Sequence, residues 1–272
     1  MPDPSGAPKR LWLIGCGNMA GAMLSRWIDS GALRGEDVDV VNRHDRDLPA
    51  GVRQARDLPD GPPPDAVMLA MKPQQLDEIV TAHGDRIRQA PLVISILAGV
   101  EETTLADRFP GPAIVRAMPN LPVALGKGVV ALYADGAAQP VRDAVAALMA
   151  PLGLVEWTPN EALYGAIGTL EGCGPAFLFR FIDALAKAGE ALGVPADQAA
   201  RLALATVDGA ASMAIASSET PGVLADRVAS PGGSTRQGLN VLDRDDALVR
   251  LMTETLQAAE RRGREMAAAA KR

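Results

Sequence analysis

Residues 11–20 read LWLIGCGNMA, an apolar run of strand length followed by the pattern G-x-G-x-x-A. Beyond Ala20, the residues Leu24, Trp27 and Ile28 continue one apolar face at helical spacing. Glycines between a strand and a helix permit a tight turn, and the helix N-terminus then offers free N–H groups to a pyrophosphate. The stretch therefore predicts a dinucleotide-binding turn, against the plainer alternative of a tight turn in any α/β protein.

Short apolar runs alternate with helical patterns through the first half of the chain. Helical patterns run from Ala20 to Ile28, from about Gln74 to Gln89 and from Pro140 to Met149. The predicted strands are Leu11–Ile14, Val38–Val41, Ala66–Ala70, Leu92–Leu97, Ala113–Val115 and Val129–Leu132. Such alternation forms βαβ units and a mostly parallel sheet. We therefore expect an α/β fold in which residues 1–157 form a Rossmann-type dinucleotide-binding domain.

Strand patterns end near Asn160, and long Ala- and Leu-rich helical stretches follow at Ala176–Leu192, Ala196–Ser217 and Asp245–Ala270. The middle stretch is apolar almost all round, which is typical of a buried helix. A domain of this size has too little bulk to surround such a helix, so a second copy of the chain is the simplest cover. We expect residues 158–272 to form an all-helical substrate and dimerisation domain.

Composition limits the classes of partner. The 272 residues carry a formal net charge of −6, which argues against a protein built to bind nucleic acid or an anionic membrane. The polar first ten residues predict no signal peptide, and no apolar run approaches the ~18 residues of a membrane span. Without clustered His, Cys or carboxylates, no metal site is predicted. We expect a cytoplasmic protein that acts on a small molecule.

The end of the second predicted strand decides which dinucleotide is preferred. An NAD site usually offers a carboxylate there to the ribose 2′-OH, whereas this chain has Asn42 and Arg43. An arginine pairs with a 2′-phosphate, so the sequence predicts NADPH as the cofactor and NADH as a weaker one. The alternative is an ordinary surface arginine.

Other candidate cofactor contacts follow the strands, because ligands of doubly wound sheets bind at the strands' carboxyl ends. Taken alone, Lys72 is typical of a solvated charge, and Asn120 is typical of a turn. The predicted cofactor-binding residues are Ile14, Gly15, Gly17, Asn18, Met19, Asn42, Arg43, Ala70, Met71, Lys72, Pro73 and Asn120.

Two glycine-containing stretches mark the second half. Residues 230–235, SPGGST, combine two glycines and hydroxyl residues at a helix start, which is a backbone arrangement suited to a carboxylate. The alternative is a helix N-cap preceded by a flexible turn. Residues 171–177, EGCGPAF, are predicted to start the long helix, and their glycines would admit a ligand or a partner helix.

With these motifs in this order, the chain resembles the pyrroline-5-carboxylate reductase family from Leu11 to about Met266. The resemblance implies NADPH-dependent reduction of the cyclic imine 1-pyrroline-5-carboxylate to L-proline, the last step of proline biosynthesis. It also implies a homodimer, which in the family assembles further into rings such as decamers.

The resemblance assigns roles to residues of the second motif. Backbone N–H groups around Gly232, Gly233 and Ser234, beside Ser230, would bind the substrate carboxylate. Thr235 would hydrogen-bond the ring nitrogen and is the one predicted catalytic residue.

The chain departs from the family pattern at four positions. Leu121 replaces a Thr, Glu171 and Cys173 replace Ser, and Phe177 replaces Tyr. No role is carried over for these positions, and the carboxylate of Glu171 has no counterpart in the pattern.

Two other classes of protein remain open from the residues. A β-hydroxyacid dehydrogenase has a similar first domain but relies on a helix lysine, and Lys187 lacks the asparagines that normally follow it. A non-catalytic dinucleotide-binding dimer would keep the glycine turn but would have no need of the SPGGST segment.

Overall fold

The computed structural model describes residues 6–270, apart from the side chains at positions 266, 267, 269 and 270. Residues 1–5, which carry part of the prediction that no signal peptide is present, lie outside the described residues. The strands are β1 Leu11–Ile14, β2 Val38–Val41, β3 Arg53–Ala55, β4 Ala66–Leu69, β5 Leu92–Ser95, β6 Ala113–Pro119, β7 Gly128–Tyr133 and β8 Gly153–Trp157. The helices are α1 Asn18–Asp29, α2 Leu76–Ile87, α3 Glu102–Arg108, α4 Gln139–Met149, α5 Glu161–Ala191, α6 Ala196–Ala216, α7 Pro221–Arg227, α8 Ser234–Asp243 and α9 Ala247–Ala270.

The eight strands form one sheet in the order β3-β2-β1-β4-β5-β6-β7-β8. Every neighbouring pair is parallel except β6 and β7, which are antiparallel. β1 lies between β2 and β4, with Leu11 opposite both Val38 and Ala66. This arrangement confirms the predicted α/β fold of Rossmann type, and all six predicted strands are present.

The two strands that the sequence analysis missed are the edges of the sheet. β3 is three residues long and β8 alternates between half-buried and exposed positions, so neither has the continuous apolar run of a strand covered on both faces.

Helices cover the central strands on both faces. On one face, α1 and α4 pack together, and the buried indole N–H of Trp27 donates a 2.7 Å hydrogen bond to the Leu148 carbonyl. On the other face, α2 and α3 bury Ile87, Leu105 and Phe109 against the sheet. Packing of these helices on the sheet therefore holds in place the carboxyl ends of the strands, where the glycine turn lies.

The chain divides into two compact units. The first extends to Gly172 and includes the chain from Glu260 on, and the second is Cys173–Ala259. The end of β8 at Trp157 is where the sequence analysis ends the first domain, and that boundary stays a prediction.

The long helix α5 begins earlier than predicted. It starts at Glu161 rather than Ala176, so the EGCGPAF motif lies inside the helix and not at its start. The prediction was wrong because Gly and Pro normally interrupt helices. Pro175 cannot donate to the Glu171 carbonyl four residues earlier, but the Asn120 side chain supplies the missing donor, with Nδ2 3.0 Å from that oxygen.

Helix α6 matches its predicted range closely, but its own chain leaves most of it uncovered. Only Ala199 and Ala203 are buried, and the larger apolar side chains are exposed. By length and composition alone, α6 is also the one described helix apolar enough to cross a membrane, a test that core helices of globular proteins pass as well.

Candidate functional site

The glycine turn at the end of β1 is held against two neighbouring strands. The Gly15 N–H donates to the Val41 carbonyl and the Ala70 N–H donates to the Ile14 carbonyl, both at 2.8 Å. Gly15 has a φ of +84°, and a Cβ there would lie 2.6 Å from the Met71 nitrogen. Only glycine fits, and the turn therefore brings the predicted residues of β1 and β4 together.

Gly17 leaves the N-terminus of α1 open. It is the N-cap residue, no side chain caps the helix, and the first turn carries no acidic residue. A Cβ at Gly17 would meet nothing within 4 Å. Asn18 is exposed and Met19 is half-buried. Uncapped N–H groups and the positive end of the helix dipole suit the pyrophosphate of a dinucleotide.

Asn42 supports the turn from the end of β2. Its buried Oδ1 accepts a 2.7 Å hydrogen bond from the Cys16 N–H, and its Nδ2 donates to Gln54 Oε1 at 3.1 Å. The side chain thus shapes the turn from behind, while its predicted contact with the cofactor stays a prediction. Gln54 was missed because it lies on β3, an edge strand without a sequence signal.

A cluster of arginines surrounds the tip of β2. Arg43 is exposed and forms an ion pair with Glu78 in the first turn of α2. Arg56 pairs with Asp45 at 2.9 Å and also donates to the Asn42 carbonyl. Two guanidinium groups that could exchange a carboxylate for a phosphate therefore lie where a ribose 2′-phosphate would lie in this fold.

Arg46, beside them, differs from the other two arginines. In the part of the chain that the structure describes, no carboxylate lies within ion-pair distance of it. Burial raises the pKa of the Cys16 thiol in the glycine turn, and the nearby Arg46 guanidinium offsets part of that rise. Sequence analysis did not select Arg46, because a surface arginine gives no signal of its own.

The short stretch after β4 leads into helix α2, which packs on one face of the sheet. Lys72 is exposed, and its backbone N–H donates to Gln75 Oε1 at 3.1 Å. Pro73 opens the short 3-10 turn Pro73–Gln75 before α2. Within residues 6–270, no carboxylate pairs with the Lys72 ammonium, which leaves a cation at a strand end.

Asn120, after β6, is engaged on two sides. Its Oδ1 accepts from the Val129 N–H at 2.8 Å, and its Nδ2 donates to the Glu171 carbonyl on α5. The residue is buried, so these bonds fix the loop between β6 and β7 against the helix. The predicted contact of Asn120 with the cofactor or substrate stays a prediction, beside this observed positioning role.

Sequence analysis missed a cluster formed by Arg116, Glu161 and Tyr164. Arg116 on β6 pairs with Glu161 at the start of α5, and its guanidinium lies 4.4 Å from the ring centroid of Tyr164. Glu161 also accepts from the Glu102 N–H at 3.1 Å. The signal available was a lone arginine at the end of an apolar strand, because such a charge needs a partner.

Glu171 buries a carboxyl group whose two oxygens have no hydrogen-bond partner among the described residues. Burial raises its pKa to about 8, so the group is mostly protonated at neutral pH. The position that departs from the family pattern is therefore a neutral acid inside the first compact unit.

Residues 230–235 form an open helix start in the second compact unit. Gly232 has a φ of +74°, and Gly233 is the N-cap of α8, which no side chain caps. The Gly233 N–H is already bonded to the Ser230 carbonyl at 3.0 Å, so one predicted donor is occupied. Ser234 and Thr235 are exposed in the first turn, where N–H groups lack intrahelical partners.

A glycine turn at a helix N-terminus and arginines at the next strand tip, in a doubly wound sheet, are the arrangement of a pyridine-nucleotide-binding site. With the matches that follow, the chain is a pyridine-nucleotide-dependent oxidoreductase. Residues 10–99 match the family model described as NADP oxidoreductase, coenzyme F420-dependent. Residues 161–266 match the model described as pyrroline-5-carboxylate reductase dimerisation, which supports self-association. The chain belongs to the pyrroline-5-carboxylate reductase family.

Relatives of this family match along almost the whole chain. The pyrroline-5-carboxylate reductase of Synechocystis is 37% identical, over 94% of this chain and 98% of its own length. That of Methanosarcina acetivorans is 34% identical, over 93% of this chain and 96% of its own length.

Solved structures show the same fold. The pyrroline-5-carboxylate reductase of Coxiella burnetii superposes with a TM-score of 0.85 at 31% identity, covering 94% of this chain and 98% of its own. The Plasmodium falciparum pyrroline carboxylate reductase, solved with NADP bound, superposes with a TM-score of 0.78 at 21% identity, covering 96% and 98%.

Proposed function

We propose that the chain reduces 1-pyrroline-5-carboxylate to L-proline with NADPH, NADH being a weaker donor, as the last step of proline biosynthesis in the cytoplasm. The observation that carries this proposal is the 37% identity to a pyrroline-5-carboxylate reductase over 94% of the chain. The β-hydroxyacid dehydrogenase and the non-catalytic dimer have no comparable support.

The cofactor fits the first compact unit. The uncapped N–H groups after Gly17 suit its pyrophosphate, and Arg43 suits its 2′-phosphate. The Plasmodium falciparum protein was solved with NADP bound, which supports the choice of a 2′-phosphorylated cofactor. When bound, NADPH supplies the hydride that the imine carbon accepts.

The substrate carboxylate fits the N-terminus of α8. Here the helix offers uncapped N–H groups beside Gly232, and the exposed hydroxyl of Thr235 lies in the first turn. We assign Ser230, Gly232 and Ser234 to carboxylate binding and Thr235 to the ring nitrogen. Gly233, whose N–H already donates to the Ser230 carbonyl, would contribute by shaping the turn.

No strong general acid is required of the protein. In the reactive iminium form the ring nitrogen already carries its proton, so the nitrogen keeps the C=N electron pair when hydride reaches the carbon. Thr235 then needs only to accept a hydrogen bond from the ring N–H, and the protein acts mainly by holding two partners in register.

A homodimer completes the proposal. The large apolar side chains that α6 leaves exposed within one chain suit cover by a second copy. Assembly into a ring of dimers such as a decamer is the larger state that the family resemblance implies.

The experiment follows NADPH absorbance with pyrroline-5-carboxylate, and NADP reduction with a 3-hydroxy acid. We expect oxidation of NADPH by the imine and no reaction with the hydroxy acid. Activity with the hydroxy acid alone would identify a β-hydroxyacid dehydrogenase, and nucleotide binding without either reaction would identify a non-catalytic dimer.

A further inference from the structure

The ion pair between Arg43 and Glu78 brings a carboxylate to the tip of β2, which itself carries none. Sites for NAD usually hold the ribose 2′-OH with an acidic residue at the tip of the second strand. In this chain the strand tip itself carries Asn42 and Arg43. The carboxylate comes instead from a different βα unit, because Glu78 lies in the first turn of α2.

Both members of the pair are free to change partner. The side chains of Arg43 and Glu78 are 58% and 60% exposed, and neither is held by another ion pair among the described residues. An exposed pair of this kind contributes little to folding stability. The ion pair therefore mainly affects the affinity of a ligand that competes for Arg43 or Glu78.

The two other arginines at the tip of β2 do not pair with Glu78. Arg56 is occupied by Asp45, whereas Arg46 has no carboxylate partner within the described chain. Among these carboxylates, Glu78 is thus the one that takes the arginine predicted to meet a 2′-phosphate.

We propose that Glu78 is a specificity-determining residue that holds Arg43 when no 2′-phosphate is bound and competes with that phosphate for the guanidinium. The inference rests on the proposed use of NADPH. When a 2′-phosphate binds, Arg43 turns to it, and the Glu78 carboxylate is left beside a second anion. With NADH the pair stays intact. Glu78 therefore lowers the affinity for NADPH, leaves that for NADH unchanged, and so narrows the preference between the two cofactors.

The test measures binding of 2′,5′-ADP and of ADP, which lacks the 2′-phosphate, by titration calorimetry. Glu78→Gln keeps the shape of the side chain and removes its charge. We expect about threefold to tenfold tighter binding of 2′,5′-ADP and less than a twofold change for ADP. The gain should shrink as ionic strength rises.

Asp77→Asn is the matched control. Asp77 precedes Glu78 in the same helical turn, so both variants change the net charge and the helix N-terminus equally, but Asp77 pairs with Arg108. We expect this variant to bind both fragments within twofold of the wild type. In an Arg43→Ala background, Glu78→Gln should tighten 2′,5′-ADP less, since the contested partner is gone and only the repulsion between Glu78 and the phosphate remains.

Three results would overturn the proposal. Weaker binding of 2′,5′-ADP to Glu78→Gln would mean that Glu78 orients Arg43 toward the phosphate. Equal tightening of both fragments, or the same gain with Asp77→Asn, would mean a general charge effect. Fragment binding needs no imine, so loss of the reductase activity and loss of this inference are separately visible.

Discussion

At the scale of single residues, Glu171 shows how burial sets a charge state. Both of its oxygens lie without hydrogen-bond partners among the described residues, and burial raises its pKa to about 8. Ionisation would place an unpaired charge in a region of low polarity, which is costly. The folded state therefore holds a proton there that the unfolded chain releases at much lower pH.

The first prediction concerns pH and stability. The pKa of Glu171 in the folded state lies above the ~4.3 of an unfolded chain. At acid pH the group is neutral in both states and does not change the free energy of unfolding. As pH rises toward about 8, the unfolded chain releases the proton and the folded state does not, so the free energy of unfolding falls. Glu171→Gln removes this titration. We expect the wild type to lose about 2–5 kcal/mol more unfolding free energy between pH 5 and pH 9 than the variant does.

Urea unfolding at fixed protein concentration measures this difference across the pH range. Glu156→Gln, at an exposed position of β8, is the control and should follow the wild type. Parallel pH curves for the wild type and Glu171→Gln would show that Glu171 ionises without cost.

The second prediction concerns Thr235, whose hydroxyl has no protein partner among the described residues. Thr235→Val keeps the shape and removes the acceptor for the ring N–H. We expect unchanged NADPH affinity and a kcat/KM for the imine lowered by about 1–3 kcal/mol of transition-state stabilisation. Steady-state kinetics measures the loss.

Thr81→Val is the control, because the Thr81 hydroxyl bonds only the Asp77 carbonyl of its own helix α2. It should react at the wild-type rate. A wild-type kcat/KM for Thr235→Val, with an unchanged melting profile, would reduce the SPGGST segment to a helix cap.

At the scale of elements, burial on both faces explains what could be predicted. The six inner strands were found because two covered faces demand apolar runs, and the glycine turn was found because it follows one of them. The edge strands β3 and β8 lack that demand. For the same reason the role of Asn42 was out of reach, since one of its partners, Gln54, lies on β3.

The start of α5 escaped prediction for a different physical reason. A proline inside a helix normally ends it, and only tertiary structure reveals that Asn120 donates to the carbonyl that Pro175 leaves free. A donor from outside the helix has no local sequence signal.

The third prediction tests that compensation. Asn120→Asp keeps an acceptor for the Val129 N–H but removes the donor to the Glu171 carbonyl. We expect a loss of about 1–3 kcal/mol of unfolding free energy, measured by urea denaturation. In a Pro175→Ala background, where the helix supplies its own donor, the same change should cost about 1 kcal/mol less. An identical cost in both backgrounds would separate Asn120 from the proline.

At the scale of the whole molecule, the second compact unit leaves large apolar side chains uncovered. Those of α6 are Leu202, Leu204, Met213 and Ile215, each more than half exposed within one chain. Patches of this kind on a protein mark an interface. The match to a dimerisation domain over residues 161–266 agrees with self-association.

The fourth prediction concerns that assembly. Light scattering at micromolar concentration should give a dimer or a larger species, and a monodisperse monomer would contradict it. Ala210→Glu on α6 should place a charge in the interface, cost about 3–5 kcal/mol and raise the dissociation constant sharply. The same change at Ala82, exposed on α2, should leave the assembly intact.

The placement of the indole rings has an optical consequence. All three tryptophans, Trp12, Trp27 and Trp157, lie in the first compact unit. Emission excited in the tryptophan band therefore reports the sheet and its covering helices, while the second unit is silent in that channel. Two of the three rings are fully buried, so unfolding of the sheet should shift their spectrum to longer wavelength. A perturbation that melted only α6 and its neighbours would leave both the intensity and the wavelength maximum of tryptophan emission unchanged. It would be detected by circular dichroism alone.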